Sequence, residues 1–178
     1  MKKILRNFNL LFYYCFAQFL PDNYFPFVGK ISKYVRNRVT RLFCHHIDKT
    51  AQIQKKVYLG NGSKIEVGAH SSIGAFSKIQ NTKLTIGKDV MIGEYLSVLG
   101  GGHVTEKLDM PMRLQGKLPD TELKVEDDVW IGAHVIILPG CKKIGKGSII
   151  GAGSVVTHDV EDFSVVAGNP AKKIKSRF

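Results

Sequence analysis

Aliphatic residues recur at every sixth position along two stretches of this chain, and that spacing constrains the fold more than any other feature. Val67, Ile73 and Ile79 form one run; after one extra residue, Ile86, Ile92 and Val98 continue it. Val125, Ile131 and Ile137 open a second run; again after one extra residue, Ile144, Ile150 and Val156 continue it. Glycines directly follow many of these aliphatics: Gly68, Gly74, Gly87 and Gly93 in the first run, Gly132, Gly145 and Gly151 in the second. A period of six fits neither an amphipathic helix nor an alternating strand. It is a repeat, and a repeat decides the architecture before local propensity does. Six residues make one short strand and one corner. The aliphatic points inward, and the small residue after it lets the chain turn where a side chain would collide. Three such units close a triangular coil. Stacked coils bury a column of Val, Ile and Leu, each worth roughly 1.5–3 kcal/mol when fully buried. The expected fold is an all-β solenoid, a hexapeptide β-helix.

The 178 residues suit one domain, and the apolar fraction of 44% is ordinary for a folded soluble chain. The formal net charge of +11 sits at the two ends. Residues 1–50 carry +7, and Lys172, Lys173, Lys175 and Arg177 carry +4, which leaves the repeat body neutral. A basic chain invites a nucleic-acid reading, but no nucleic-acid motif accompanies the charge, so nucleic acid is not an expected partner. Basic ends on a neutral body suit a small anionic ligand at one end and an anionic surface or partner at the other. Cys15, Cys44 and Cys141 show neither a metal spacing nor a disulfide framework, and a reducing cytosol is the simplest compartment.

Three segments are expected: a basic helical segment over 1–50, the repeat body over 51–168 with a loop insertion at about 103–123, and a basic tail over 169–178. Residues 1–20 lack Pro and Gly, and Ile4, Phe8, Leu11, Tyr14 and Ala17 fall near one helical face. The apolar run Leu10–Leu20 has no small-x-small cleavage site and is too short to span a bilayer, so it reads as a docked helix. Pro21 to Gly29 is a turn-rich linker. Residues 30–44 predict a second helix, with Ile31, Tyr34, Val35, Val39, Leu42 and Phe43 as its apolar stripe and Lys30, Lys33, Arg36 and Arg41 off it. The two helices cap the open strand edges of the end coil, or form a basic amphipathic segment in which residues 1–44 make peripheral contact with a membrane. The two readings are compatible. The expected location is cytoplasmic, at the inner face of the membrane in the second case.

The repeat breaks at Gly100-Gly101-Gly102-His103. From Val98 to Val125 is 27 residues, and removing one ordinary step of seven leaves an insertion of about 20. A long irregular loop in a compact repeat is usually functional or disordered.

Ile131-Gly132-Ala133-His134-Val135, Gly151-Ala152-Gly153-Ser154-Val155-Val156-Thr157 and Ala167-Gly168-Asn169-Pro170-Ala171-Lys172 resemble the hexapeptide-repeat acyltransferases. The branch most similar holds maltose and galactoside O-acetyltransferases and acetyltransferases of polysaccharide pathways. The likeness covers roughly residues 51 to 175. It implies a left-handed parallel β-helix, a homotrimer, acetyl-CoA in the groove between neighbouring β-helices, and a sugar or glycan acceptor under a loop from the adjacent subunit.

Acetyl transfer from a thioester to a hydroxyl needs a base for the hydroxyl and donors for the oxyanion. His103 is the expected base. It follows three glycines where the ladder breaks, at the position where the family places its catalytic histidine. A reference histidine titrates near pH 6.5 and is mostly able to accept a proton in the cytosol. Its orienting partner is open: the asparagine that relatives carry on the coil beneath is missing from Ile73-Gly74-Ala75-Phe76, and Glu94, Asp109 or a carbonyl are the alternatives. Asp109, within Asp109–Gly116, resembles the acceptor-side loop, or is a turn cap before Pro111. Asn81 matches an acceptor-contacting position that is acidic in relatives. For acetyl-CoA, the resemblance implies backbone contacts at Ala133 and Ala152, Thr157 and His158 further along the pantetheine arm, and Lys172 and Lys175 near the phosphates. His158 stands where relatives commonly carry lysine. His70 and His134 are read as outward residues on flat faces, His134 beside the groove. Trp130 is expected to point outward next to it.

No metal is expected. His70, His103, His134 and His158 lack the close pair that a metal-dependent enzyme of this fold would need. The alternative activities are N-acetylation of an amino sugar, or acetylation of a xenobiotic or of serine. A purely structural solenoid has no use for His103 or the loop. The extra residue at Cys141-Lys142-Lys143 reads as a one-residue bulge.

Overall fold

The sixth-residue aliphatics line one continuous interior. The computed structural model describes residues 2–178; Met1, the first residue of the expected N-terminal helix, lies outside them. The chain winds through three parallel sheets in rotation. The first face holds His46–Ile47, Ile65–Val67, Thr82–Ile86, Thr121–Val125 and Lys143–Ile144. The second holds Gln52–Ile53, Ser72–Ile73, Met91–Ile92, Trp130–Ile131, Ile149–Ile150 and Ser164–Gly168. The third holds Lys78–Gln80, Ser97–Leu99, Ile136–Ile137 and Val155–Val156. Val67 pairs with Ile86, Val125 with Ile144, Ile131 with Ile150 and Ile137 with Val156, so one coil takes 19 residues. All of these side chains are buried in one core.

In the regular coils the extra residue falls between the third and first faces, from Ile79 to Ile86 and from Ile137 to Ile144. The residue at Cys141–Lys143 is therefore a regular part of the coil, not an isolated bulge. Cys141 turns inward there and is buried.

Two backbone requirements explain the corners. A methyl on Gly93 would lie 2.7 Å from the Ala133 nitrogen, and one on Gly132 would lie 2.6 Å from the Ala152 nitrogen. Three residues after Val67, Ile73, Ile86, Ile92, Val125 and Ile131 on the first and second faces, the backbone turns left-handed: His70, Phe76, Asp89, Tyr95, Asp128 and His134 all have φ between 57° and 60°. This corrects the expectation for His70 and His134. They stand on corners, because the flat strands are mostly two or three residues long. Equivalent corner positions stack from coil to coil. Phe76, Tyr95 and His134 form a ladder with ring centres 4.9 and 4.6 Å apart.

The last residues also differ from expectation. Ala171–Ser176, read as a tail, forms a strand antiparallel to Ser164–Gly168.

Helix α1 (Lys2–Cys15), a short 3-10 turn (Ala17–Phe19) and helix α2 (Gly29–Phe43) cover the first coil. The Tyr13 hydroxyl donates to the Val57 carbonyl at 2.8 Å, and the Tyr14 hydroxyl donates to Gly60 O at 2.8 Å while accepting the Leu59 N–H at 3.0 Å. Asn37 donates to Ala51 O at 2.6 Å and accepts from Ile53 N–H at 3.0 Å. The open edge of the first coil is thus satisfied by side chains of the cap. The predicted apolar stripes face the core only in part: Ala17, Val39 and Phe43 are buried in it and Tyr14 and Val35 pack against it. Ile4, Phe8, Leu11, Ile31, Tyr34 and Leu42 are exposed, while Asn9, Tyr13, Ser32, Arg36, Asn37 and Thr40 are buried. The core side of the helices combines Val39 and Phe43 with hydrogen-bonding groups such as Tyr13 and Asn37, because an end coil presents unpaired backbone as well as an apolar wall. Arg36, expected off the stripe, is fully enclosed and donates to Leu20 O at 2.8 Å, Pro21 O at 3.0 Å and Asn23 Oδ1, which pins the linker. Among the described residues, no helix is long and apolar enough to cross a membrane.

Candidate active site

The chain leaves the coil after Ser97–Leu99 as an arm and rejoins it at Thr121–Val125. Its root needs glycine. A methyl on Gly100 would lie 2.2 Å from Asn81 O and 2.4 Å from Thr121 Oγ1, and Gly101 and Gly102 have φ of 66° and 150°. Beyond the root, Gly102–His103 pairs antiparallel with Lys117–Leu118, and His103 stands opposite Lys117. The arm holds its own shape. The Gln115 amide accepts from Lys107 N–H at 2.9 Å and donates to Lys107 O at 2.7 Å and Met110 O at 3.0 Å. One glutamine side chain does the work of a strand partner, which no spacing in the sequence announces. Leu108, Met112, Leu114 and Leu118 on the arm are all exposed.

His103 is exposed, and its imidazole has no hydrogen-bond partner among the described residues. Asn81 lies under the arm root, its carbonyl accepting the Thr121 N–H at 3.0 Å, beside a cleft of about 240 Å³ lined by Tyr58, Lys64, Gln80, Thr82 and Asp120. The structure therefore brings His103 and Asn81 to one end of the arm. Asp109 lies at a bend further out, exposed. Glu94 sits at the corner between the second and third faces. A whole face of the coil separates it from the arm root, so it does not orient His103 within one chain.

A second set of residues collects along the corner between the second and third faces. Ala133, Ala152 and Gly168 occupy equivalent positions in successive coils, two residues after Ile131, Ile150 and Val166. Ala133 O accepts Gly153 N–H at 2.9 Å, while the Ala133 and Ala152 N–H groups donate to nothing among the described residues. The track is small-walled, carries free donors, and ends at Lys172, which pairs with Ala167. Lys172 and Lys175 are exposed without a carboxylate partner among the described residues, whereas Lys173 binds Glu161 at 2.6 Å and Arg177 binds Asp128 at 2.9 Å. Trp130, half exposed on the second face, precedes the corner that carries Ala133. Thr157 and His158 lie across the third face from Ala152, and Thr157 Oγ1 contacts His158 Nδ1 at 2.9 Å. Among the described residues, no group of three or more His, Cys, Asp or Glu could hold a metal ion.

The chain thus presents two separate candidate clusters, an imidazole on an arm at one corner and a small-residue track with free N–H groups and terminal cations at another. Three-faced coils of hexapeptide repeats point to a class, the hexapeptide-repeat transferases. A family profile described as "Bacterial transferase hexapeptide (six repeats)" matches residues 123–158. A hexapeptide-repeat-containing acetyltransferase from Vibrio cholerae, solved with acetyl coenzyme A, superposes with a TM-score of 0.71 at 30% identity, covering 79% of this chain and 75% of that one. The galactoside O-acetyltransferase of Escherichia coli is 32% identical over 130 residues, 72% of this chain and 62% of that protein. A chloramphenicol acetyltransferase of Agrobacterium fabrum is 33% identical over 115 residues, 65% of this chain and 53% of that protein. The chain belongs to the hexapeptide-repeat acetyltransferase family. It spans about half the length of the curated relatives it matches.

Proposed function

We propose that the protein is an acetyl-CoA-dependent O-acetyltransferase acting on a hydroxyl of a sugar or glycan intermediate, working as a homotrimer of left-handed β-helices. The observation that carries this reading is the separation of the two clusters. The His103 arm and the Ala133–Ala152 track lie on different corners of one chain, and a neighbouring copy brings an arm to a track. The exposed apolar side chains of the arm are then covered by the next subunit.

Ala133 and Ala152 donate their free N–H groups to the pantetheine arm, and their small side chains let it lie against the wall. Thr157 and His158 contact it further on, and Lys172 and Lys175 meet the phosphates as mobile point charges. The His103 imidazole takes the proton of the acceptor hydroxyl as that oxygen attacks the thioester carbonyl. The tetrahedral oxyanion collapses, the C–S bond breaks, and His103 returns the proton to the departing thiolate in a ternary complex. Asn81 and Asp109 hydrogen-bond the sugar from the two ends of the arm. The similarity to a galactoside O-acetyltransferase supports the sugar acceptor. The similarity to a chloramphenicol acetyltransferase favours a second reading, a xenobiotic or amine acceptor on the same machinery. The protein works in the cytoplasm, where acetyl-CoA is made.

Thiol release from acetyl-CoA, measured across mono- and disaccharides, nucleotide sugars, amino sugars and chloramphenicol, tests the assignment. Turnover with a sugar hydroxyl supports it. Turnover only with chloramphenicol or an amine replaces it with the second reading, and no turnover with any acceptor contradicts both.

A further inference from the structure

We infer that the outer surface of the helical cap is a docking surface for an anionic lipid bilayer. Helix α1 turns Ile4, Phe8, Leu11 and Phe12 to solvent, and Phe16 and Phe19 continue the patch past its end, each of the six between 36% and 76% exposed. At 100° per residue the four helical positions share one narrow arc, opposite Arg6, Leu10 and Tyr13, which face the first coil. Soluble chains rarely leave so many large apolar side chains together in water.

The charge on the neighbouring helix of the cap points to the occupant. Lys30, Lys33, Arg38, Arg41 and Lys49 line one shallow basin on α2 with Tyr34. None of these five has a carboxylate partner among the described residues. On the coil body, by contrast, Lys64, Lys83, Lys124 and Lys143 each bind Asp or Glu. Unpaired cations beside aromatic and aliphatic side chains are the composition of a helix that lies in the interface plane of an anionic membrane. The helices pack on the first coil through Tyr13, Asn37, Val39 and Phe43, which leaves the exposed apolar residues of α1 and the basic basin of α2 outside that packing. The arm leaves two coils further on. With strands about 4.8 Å apart and a helix about 10 Å thick, its root stands roughly 20 Å from the docked surface. Docking leaves His103 and the small-residue track free.

Co-sedimentation of the full chain with phosphatidylcholine vesicles, with and without phosphatidylglycerol, tests the inference without acetyl-CoA or an acceptor, so its failure is separate from failure of the proposed reaction. The chain is expected to pellet with phosphatidylglycerol vesicles and to lose about tenfold in apparent affinity when that lipid is omitted or salt is raised. Replacing Phe8, Phe12 and Phe16 by serine is expected to abolish pelleting while leaving mass in solution and circular dichroism unchanged. Arg38→Glu with Arg41→Glu is expected to remove the salt-dependent part. Absence of pelleting, or pelleting unchanged by both sets, overturns the inference. A change in solution mass on removing the phenylalanines also overturns it, by showing that the face joins copies of this chain.

Discussion

Gly74 and Gly93 stack so closely at one corner that a methyl on Gly74 would fall 2.2 Å from the Gly93 carbonyl oxygen. Backbone meets backbone there, and the coil spacing is fixed by the absence of two side chains. Gly74→Ala must push two coils apart, and the expected loss is about 1–3 kcal/mol. At Gly153, by contrast, nothing lies within 4 Å and only a φ of 71° is strained, so Gly153→Ala is expected to cost about 1 kcal/mol. Thermal unfolding of the two variants checks the order.

Arg36 holds the linker to α2 through two carbonyls and the Asn23 side chain. Arg36→Met removes the donors and leaves the acceptors enclosed, with an expected cost of about 3 kcal/mol or more. The cap is expected to loosen before the coil does. Helical circular dichroism lost at lower urea than the strand signal is the readout.

The tyrosine hydroxyls that close the first coil make the cap sensitive to alkali. Burial pushes the Tyr14 hydroxyl up to about 12, against a weaker lowering by the Leu59 N–H, and burial raises Tyr13 as well. For Tyr14 the folded value lies above the ordinary one of 10.0. The stabilisation is complete below pH 10 and is lost as pH rises through about 12. Tyrosinate absorbance of these two residues is expected to appear together with loss of helical dichroism, and Tyr13→Phe with Tyr14→Phe is expected to remove that coincidence.

The three thiols separate by burial. Cys44 and Cys141 are buried, and desolvation pushes both up to about 12, so they stay protonated near neutral pH. Cys15 is exposed. Iodoacetamide is expected to modify Cys15 alone in the folded protein and all three in denaturant, as read by intact mass.

The coil was legible because one physical requirement repeats. An inward aliphatic and a corner without a side chain leave a mark at every sixth residue, and Val67 to Val156 carry it. His70 and His134 were misplaced because the ladder gives the phase of the inward residue but not where the left-handed turn falls. The Cys141 corner looked irregular until the register showed the same extra residue between Ile79 and Ile86. The helices were legible as helices, but their buried faces only in part: Val39 and Phe43 reach the core as the stripe implies, whereas Ile31 and Leu42 do not. Hydrophobic periodicity assumes an apolar wall, whereas Tyr13, Asn37 and Arg36 answer unpaired carbonyls and N–H groups that the sequence does not display. At the candidate site, Gly100–Gly102 and His103 stood out where the period broke. Gln115 did not, because a side-chain amide copying a strand has no spacing of its own.

The proposed base is the His103 imidazole. The direct test is the rate of thiol release by His103→Ala with acetyl-CoA and a sugar acceptor that the parent protein uses. A fall of about 10²–10⁴-fold in kcat is expected, with acetyl-CoA affinity unchanged if, as proposed, the Ala133–Ala152 track holds the cofactor. A variant that turns over at the parent rate contradicts it.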